Sequence, residues 1–261
     1  MSNTLIITGG SSGIGKATAQ LFAARGYKVY ELSRSGKSAD GICHIDCDVT
    51  QEETVQQAVA EVVKKEGGVD ILISNAGFGI SGAVEFTKTE DAKRQFDVNF
   101  FGALNVVKAV LSVMRQQHSG RIVFTSSVAA VLSIPYQSFY SASKSAINAL
   151  ALALRNEVSE FGITVTALMP GDVSTGFTSA RDKSLAGEEV YTHMRRAVEA
   201  MERDEQSGMS SEYLAKQLYK VAMKRNPKPL YTAGTEYKIF VFLEKLLPKR
   251  LSNWIVGLLY R

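Results

Sequence analysis

The chain has 261 residues, 45% of them hydrophobic, so it can bury a sizeable core and does not have the composition of a disordered segment. Its 30 basic and 26 acidic residues give a net charge of +4 without basic runs, which gives no support to nucleic-acid binding. Two cysteines exclude a disulfide framework, the start MSNTLIITGG lacks the layout of a signal peptide, and no apolar run reaches the roughly 18 residues of a bilayer span. A cytoplasmic protein, soluble or at most bound to a membrane surface, is therefore expected.

Six short apolar segments rich in Val and Ile are predicted to be strands: TLIIT, KVYELS, GICHIDCDV, VDILISNAG, RIVFTSS and ITVTALMPG. Helices are predicted between them, at about 14–25, 51–66, 89–117 and 138–161. Several glycines are placed to end these helices: Gly26, Gly67, Gly120 and Gly162. The alternation predicts an α/β fold in which a doubly wound parallel sheet is covered by helices on both faces.

The first predicted strand runs directly into GGSSGIG and then into a helix. At such a junction the backbone turns sharply, approaches a ligand and leaves N–H groups at a helix N-terminus, which attract a pyrophosphate. A glycine-rich turn without a ligand is the alternative, because a glycine pattern alone is weak evidence.

The second predicted strand ends in ELSRSG, where an NAD-binding protein tends to carry an acid for the ribose hydroxyls. Ser33 and Arg34 occupy this tip. A guanidinium can hold a 2′-phosphate with two hydrogen bonds, whereas an acid would repel it. NADP(H) is therefore favoured over NAD(H), with Glu31 as the competing acid if the strand ends two residues earlier.

The third predicted strand carries polar groups with two interpretations. Asp48, followed by Val49, can bind the adenine amino group or cap the helix that begins near residue 50. Cys43, His44 and Cys47 resemble part of a metal site, but they lie in a predicted buried strand and no second ligand pair follows, so no metal is predicted.

Six motifs occur in order along the first 175 residues: TGGSSGIG at 8–15, NAG at 75–77, VN at 98–99, a serine at 127, YSASK at 140–144 and PGDVST at 170–175. In this combination the chain resembles a classical short-chain dehydrogenase/reductase. The resemblance implies a single-domain Rossmann fold that binds NAD(P)(H) and moves a hydride between nicotinamide and a carbonyl or alcohol carbon. One conservative departure is Ser74, where many relatives carry a second Asn.

The resemblance also implies the site residues. Tyr140 would be the general acid/base with Lys144 as its partner, and Asn99 would anchor a water that resupplies the proton. Ser127, and not the adjacent Ser126, would be the catalytic serine, and this choice rests only on the family spacing between the serine and Tyr140. The cofactor site would be lined by three groups of residues together with Tyr140 and Lys144: Gly9, Ser11, Ser12, Gly13, Ile14 and Gly15; Asn75, Ala76 and Gly77; Pro170, Gly171, Val173 and Thr175.

The chemistry of YSASK follows from its spacing. Residues four apart lie on one helix face, so the phenol of Tyr140 and the ammonium of Lys144 can act on one bound molecule. A free tyrosine has a pKa near 10, and a neighbouring ammonium is expected to lower it. Ser127 would polarise the substrate carbonyl, and Lys144 would also hold the nicotinamide ribose. An ordinary buried Tyr beside a surface Lys is the alternative if the two residues are taken alone.

The region after Gly171 departs from the alternating pattern. Residues 176–210 are predicted to form a substrate segment, either a mobile cover over a pocket or a surface excursion. One amphipathic helix is predicted there from four apolar positions: Val190, Met194, Val198 and Met201.

Residues 235–261 form an apolar extension with interspersed basic residues: Lys245, Lys249, Arg250 and Arg261. Three roles stay open for it: cover of a pocket, subunit interface, or peripheral contact with an anionic membrane. Its apolar side chains and those of the substrate segment favour a steroid, retinoid or acyl-lipid ketone: Phe177, Met194, Met201, Phe240, Phe242 and Trp254.

The sequence favours an NADPH-dependent carbonyl reductase, similar in its apolar regions to hydroxysteroid dehydrogenases and acyl-dihydroxyacetone-phosphate reductases. A non-catalytic NADP-binding sensor and a membrane-surface interaction protein are the alternatives. The resemblance implies a homodimer or homotetramer in which helices 89–117 and 138–161 pair across subunits.

Overall fold

The structure, a computed structural model, describes residues 3–260. Within this range the strands, numbered in chain order, are β1 Thr4–Thr8, β2 Lys28–Ser33, β3 Ile42–Asp46, β4 Ile71–Ser74, β5 Ile80–Ser81, β6 Gly120–Thr125, β7 Ile163–Met169, β8 Val173–Ser174, β9 Asp182–Lys183, β10 Met209–Ser210 and β11 Leu230–Thr232. The α-helices are α1 Gly13–Ala23, α2 Glu52–Glu66, α3 Thr89–Phe96, α4 Ala103–Gln117, α5 Ser138–Glu157, α6 Phe177–Ala180, α7 Met194–Gln206, α8 Ser211–Met223, α9 Thr235–Leu246 and α10 Lys249–Leu259.

Seven strands form one parallel sheet in the order β11-β7-β6-β4-β1-β2-β3. The chain adds strands in one direction from β1 to β3 and then in the other from β4 to β11. This reversal is the doubly wound topology, and it places a crevice at the carboxyl ends of β1 and β4. The predicted fold class is confirmed, with all six predicted strands in the sheet; β11 is an additional edge strand.

Side chains alternate along the central strands and enter two cores. On one face Ile6 and Leu72 pack with α2, α4 and α5. On the other face Leu5 and Ile7 pack with α1 and α8. A strand with helices on both faces must be apolar on both sides, which explains why TLIIT and ILIS read as continuous apolar runs.

The predicted helix at 89–117 is continuous but not uniform. Residues Asp97–Gly102 form a π-helical turn between α3 and α4. The stretch Thr89–Gln117 is long and apolar enough, by length and composition alone, to cross a membrane. Its apolar positions Val106, Val110 and Met114 are buried against the sheet, as in a core helix.

Three details of the sequence predictions were wrong. Gly120 does not end a helix: it opens β6, and His118, with φ +50°, ends α4 in the left-handed conformation. Cys43 is exposed because β3 lies at the sheet edge, although Cys47 is buried as predicted. Val190 precedes α7 and is 64% exposed, whereas Met194, Val198 and Met201 are buried on that helix.

Candidate active site

A cleft of about 850 Å³ opens at the carboxyl ends of the central strands. Its lining begins at Arg34, passes the loop between β1 and α1, and reaches Tyr140 and the C-terminal Tyr260. Most of the residues predicted to bind the cofactor line it; Gly15 does not, and neither does the predicted catalytic residue Asn99. The fold thus brings motifs that are far apart in sequence to one crevice.

The glycine loop is held from the neighbouring strand. The hydroxyl of Thr8 accepts hydrogen bonds from the backbone N–H groups of Asn75 and Ala76, at 2.9 and 3.0 Å. The amide of Asn75 donates to the carbonyls of Thr8 and Gly9. A Cβ at Gly15 would lie 2.1 Å from the Gly9 carbonyl oxygen, so this glycine permits close packing of helix on loop.

The N-terminus of α1 suits an anionic group. Gly9 and Gly13 have φ of +64° and +50°, which a glycine adopts without strain. The first turn of α1 carries no acid, and the Ser12 side chain does not cap the helix. Its backbone N–H groups and positive dipole end are therefore directed to the cleft, and the residues present fit a pyrophosphate.

The strand β2 ends at Ser33, so Ser33 and Arg34 form the tip that lines the cleft. Glu31 lies within the strand, is 3% exposed and does not line the cleft. Its carboxylate is 2.5 Å from Nδ1 of His44 on β3. His44 binds Glu31, and Glu31 does not line the cleft. Glu31 is therefore not placed to bind the ribose hydroxyls, which was the alternative to Ser33 and Arg34.

Asp48 serves the turn before α2 and also faces the cleft. Its Oδ1 accepts hydrogen bonds from the N–H and the hydroxyl of Thr50, at 3.0 and 2.8 Å. Asp48 and Val49 both line the cleft. The two interpretations of Asp48 are therefore compatible. Among the described residues, no group of three or more His, Cys, Asp or Glu side chains is placed to hold a metal ion.

The YSASK residues lie in the first turns of α5. The Nζ of Lys144 lies 5.8 Å from the ring centroid of Tyr140 and donates to the Thr125 carbonyl oxygen at 2.8 Å. Ser127 faces the phenol of Tyr140. Ser126 instead donates to the backbone carbonyl of Lys144, at 3.3 Å, and so supports the helix.

Asn99 lies in the π-helical turn and is 1% exposed. Its amide nitrogen donates to the Phe78 carbonyl and to Ser143, and its oxygen accepts from the Phe78 N–H. A Cβ at Gly77 would lie 3.1 Å from this oxygen and 3.5 Å from Nζ of Lys144. Asn99 therefore holds the segment between β4 and β5 beside Lys144, and its water-anchoring role stays a prediction.

Burial controls the titration of the two central groups. It raises the pKa of Tyr140 to about 12, and the hydrogen bond with Ser127 offsets part of this effect. It lowers the pKa of Lys144 to about 8. In both cases the loss of water disfavours the charged form. The net shift of the Tyr140 pKa is upward because burial dominates, and the stabilisation of its phenolate by Lys144 stays a prediction.

The far end of the cleft combines apolar and acidic groups. Phe177 on α6 lies 5.7 Å from Tyr140 between ring centroids, and Met201 on α7 accepts a hydrogen bond from Gln137 at 3.2 Å. Glu205 is also here, bound by Thr178 and by Arg181. The sequence singled out Phe177 and Met201 by their apolar character, but nothing in the local pattern placed Glu205 at the same site.

Asp172 is the second acid of this end. Its Oδ2 accepts a hydrogen bond of 2.5 Å from the hydroxyl of Tyr237 on α9. Burial raises the pKa of Asp172, and Glu205 adds to the effect. Asp172 belongs to the PGDVST motif, but the sequence did not indicate that it lines the same cleft as Tyr140 and Tyr260.

Comparison with known proteins agrees with this geometry. The short chain dehydrogenase family matches residues 3–186. The chain is similar to a 3-ketodihydrosphingosine reductase of Bacteroides thetaiotaomicron, 37% identical over 98% of this chain and 97% of the relative.

Two solved structures have the same fold. A short-chain dehydrogenase from Streptomyces avermitilis has a TM-score of 0.83 and 27% identity, covering 97% of each chain. ElxO with NADP bound has a TM-score of 0.76 and 26% identity, covering 92% of this chain and 100% of the other. The chain belongs to the short-chain dehydrogenase/reductase family and shares its oxidoreductase character.

Proposed function

We propose that the chain is an NADPH-dependent reductase of a long-chain amino ketone of the 3-ketodihydrosphingosine type. The observation that carries this proposal is a single cleft in which a protonated phenol, Tyr140, lies between a phosphate-binding loop and a substrate end with apolar walls and an acid, Asp172. The relative named above supports the choice of ketone.

The preference for NADPH follows from the adenine end of the cleft. Arg34 is exposed there and can make two charge-assisted hydrogen bonds to a 2′-phosphate. Ser33 adds a hydroxyl. Glu31, the acid that would favour NADH, is bound by His44 outside the cleft.

NADPH, when bound, supplies the hydride that adds to the carbonyl carbon. Ser127 donates a hydrogen bond to the carbonyl oxygen and polarises it. The phenol of Tyr140 gives its proton to the alkoxide that forms, and Lys144, as an ammonium, stabilises the phenolate that is left. Lys144 is also placed to hold the ribose hydroxyls of the nicotinamide.

The substrate end fits a ketone with a neighbouring ammonium. Arg181 already binds Glu205, whereas Asp172 receives one side-chain hydrogen bond among the described residues, from Tyr237. A buried carboxylate is stabilised by an opposite charge, so an ammonium next to the ketone would complement Asp172. Apolar residues beside it would contact the alkyl chain: Ile134, Phe177 and Met201.

The chain acts as one catalytic domain in this proposal. Residues 1–175 bind the cofactor and hold the catalytic group, 176–210 cover the substrate end, and 235–261 close it from the C-terminal side. Exposed Phe101 and Leu152, 49% and 41% accessible, mark the helices through which a homodimer or homotetramer would form. Sedimentation equilibrium of the purified chain tests this assembly.

The experiment compares NADPH and NADH oxidation with 3-ketodihydrosphingosine and with a ketone of equal chain length that lacks the amine. We expect NADPH to be preferred, the amino ketone to have the higher kcat/KM, and Tyr140→Phe to bind NADPH without turnover. Equal use of both cofactors would refute the role of Arg34. Full activity of Tyr140→Phe would refute the mechanism. NADPH binding by the wild type without reduction of either ketone would favour the sensor.

A further inference from the structure

The C-terminal helix pair, α9 and α10, exposes an unusual amount of apolar surface. Within residues 3–260 sixteen large hydrophobic side chains are exposed, and ten of them belong to this pair: Ile239, Phe240, Phe242, Leu243, Leu246, Leu251, Trp254, Ile255, Leu258 and Leu259. Single exposed apolar residues are ordinary, but a concentration of them marks a contact surface.

The exposed apolar surface is clearest on the helix α10. Its exposed apolar residues follow one another at intervals of three, one, three and one, which is the spacing of a single helix face. Such a stripe normally packs on the core. Here Ser252 is the buried residue of the helix, and Trp254 and Leu259 are 55% and 66% exposed. The apolar face of α10 is therefore directed away from the protein.

The same helices carry a positive rim. Four basic residues of the pair are exposed: Lys238, Lys245, Lys249 and Arg250. Their acidic neighbours are Glu236 and Glu244, and Glu244 is bound by Lys249. The rim thus has an excess of two positive charges. Long basic side chains can lie along apolar surface while their charged ends reach anionic groups.

The helix pair is anchored at the cleft. Tyr237 on α9 binds Asp172, and its ring fills the space that a Cβ at Gly171 would take, 2.2 Å away. Val241 packs against Val128 and Met169. Tyr260, directly after α10, lines the cleft itself. The helix pair therefore lies beside the substrate end of the cleft.

We propose that the C-terminal helix pair docks on an anionic lipid bilayer. Its apolar face would enter the boundary between headgroups and acyl chains, with Trp254 at the interface, and the basic rim would contact anionic headgroups. A second copy of the chain fits this surface less well, since it would set one positive rim against another and bury lysines, which are depleted in interface cores.

The test uses the full chain without substrate, so its outcome does not depend on the proposed function. The protein is floated with vesicles of phosphatidylcholine alone and with vesicles that contain phosphatidylglycerol in equal part. We expect co-flotation with the anionic vesicles, weakened by salt. The double variant Trp254→Ser, Leu258→Ser should reduce vesicle affinity roughly tenfold or more, and Lys245→Glu with Arg250→Glu should reduce it similarly.

Val84→Ser, in the segment after β5, is the matched control, because it removes a 55% exposed apolar side chain outside the helix pair. Its flotation should equal that of the wild type, and all variants should keep the wild-type melting temperature. The proposal is overturned if the wild type stays with the soluble fraction, or if the double variant floats like the wild type. A double variant that turns an oligomer into a monomer, with no vesicle binding by either form, would assign the surface to a second copy instead.

Discussion

Replacing Lys144 with Met should stabilise the protein while it abolishes activity. Lys144 is 5% exposed, and burial lowers its pKa from 10.5 to about 8. Each pH unit between these values corresponds to about 1.4 kcal/mol, so the charged side chain costs the folded protein about 3 kcal/mol. The lost hydrogen bond to the Thr125 carbonyl offsets about 1 kcal/mol. A net gain of about 2 kcal/mol should raise the melting temperature by about 5 °C.

The stability difference between Lys144→Met and the wild type should depend on pH. Below pH 8 the lysine is charged in the folded and the unfolded chain, so the full destabilisation is present. As the pH rises from 8 to 10.5 the folded chain loses this proton while the unfolded chain keeps it, and the destabilisation disappears. The advantage of Lys144→Met should therefore be largest at pH 7, vanish near pH ~10, and turn into a loss of about 1 kcal/mol at higher pH, where only the missing hydrogen bond counts.

Urea denaturation of both proteins across this range measures the difference directly. Lys64→Met on the exposed face of α2 is the matched control, and it should change stability little at any pH. Reduction of the amino ketone should fall at least about 100-fold in Lys144→Met. If Lys144→Met is less stable at pH 7, or its advantage does not change with pH, the burial argument fails.

Four further outcomes follow from the same contacts. Arg34→Glu should shift the NADPH:NADH preference by roughly 100-fold towards NADH, measured as the ratio of kcat/KM values. Gly15→Ala should lower the free energy of unfolding, measured with denaturant, by about 3 kcal/mol and should weaken NADPH binding, because its Cβ would lie 2.1 Å from a backbone oxygen. The control Gly257→Ala should not lower this free energy, because its Cβ meets nothing within 4 Å. Asp172→Asn should raise the KM of the amino ketone about tenfold and leave the amine-free ketone unaffected. In wild type, kcat/KM for reduction should decline above about pH 8, as Lys144 loses its charge; a flat profile to pH 10 would contradict this.

The central sheet could be predicted from sequence because its strands are buried on both faces and their connections are regular. The six predicted strands are continuous apolar runs, and each is followed by a polar or glycine-rich turn at the same edge. The strand β11 was not predicted because it has three residues and lies at the sheet edge. It also follows α8 through the loop NPKP, which carries no apolar periodicity. The exposure of Cys43 was not predicted for a related reason: the sequence pattern does not show that β3 has one neighbouring strand instead of two.

The nucleotide half of the candidate site was predictable because its residues lie within contiguous motifs. The substrate half was not, since Asp172, Glu205 and Tyr260 come from three elements separated by long stretches of chain. Their meeting depends on how α7 and the C-terminal helix pair return to the sheet. The loss of water around Tyr140 likewise depends on neighbours distant in sequence, such as Phe177 on α6. Spacing alone could place the ammonium near the phenol but could not show that burial outweighs it.

The raised pKa of Tyr140 suits one direction of reaction. With a pKa of about 12, Tyr140 is a phenol at neutral pH and has a proton ready for an alkoxide, which is the more basic of the two oxygens. Oxidation of an alcohol would need the phenolate first, which burial disfavours; Glu205 and Asp172 also raise the pKa of Tyr140, while Arg181 offsets part of their effect. An ammonium bound at Asp172 would neutralise one of these acids. Binding of the amino ketone would therefore ease the formation of the phenolate as the proton leaves, so the group that recognises the substrate would also assist the proton transfer.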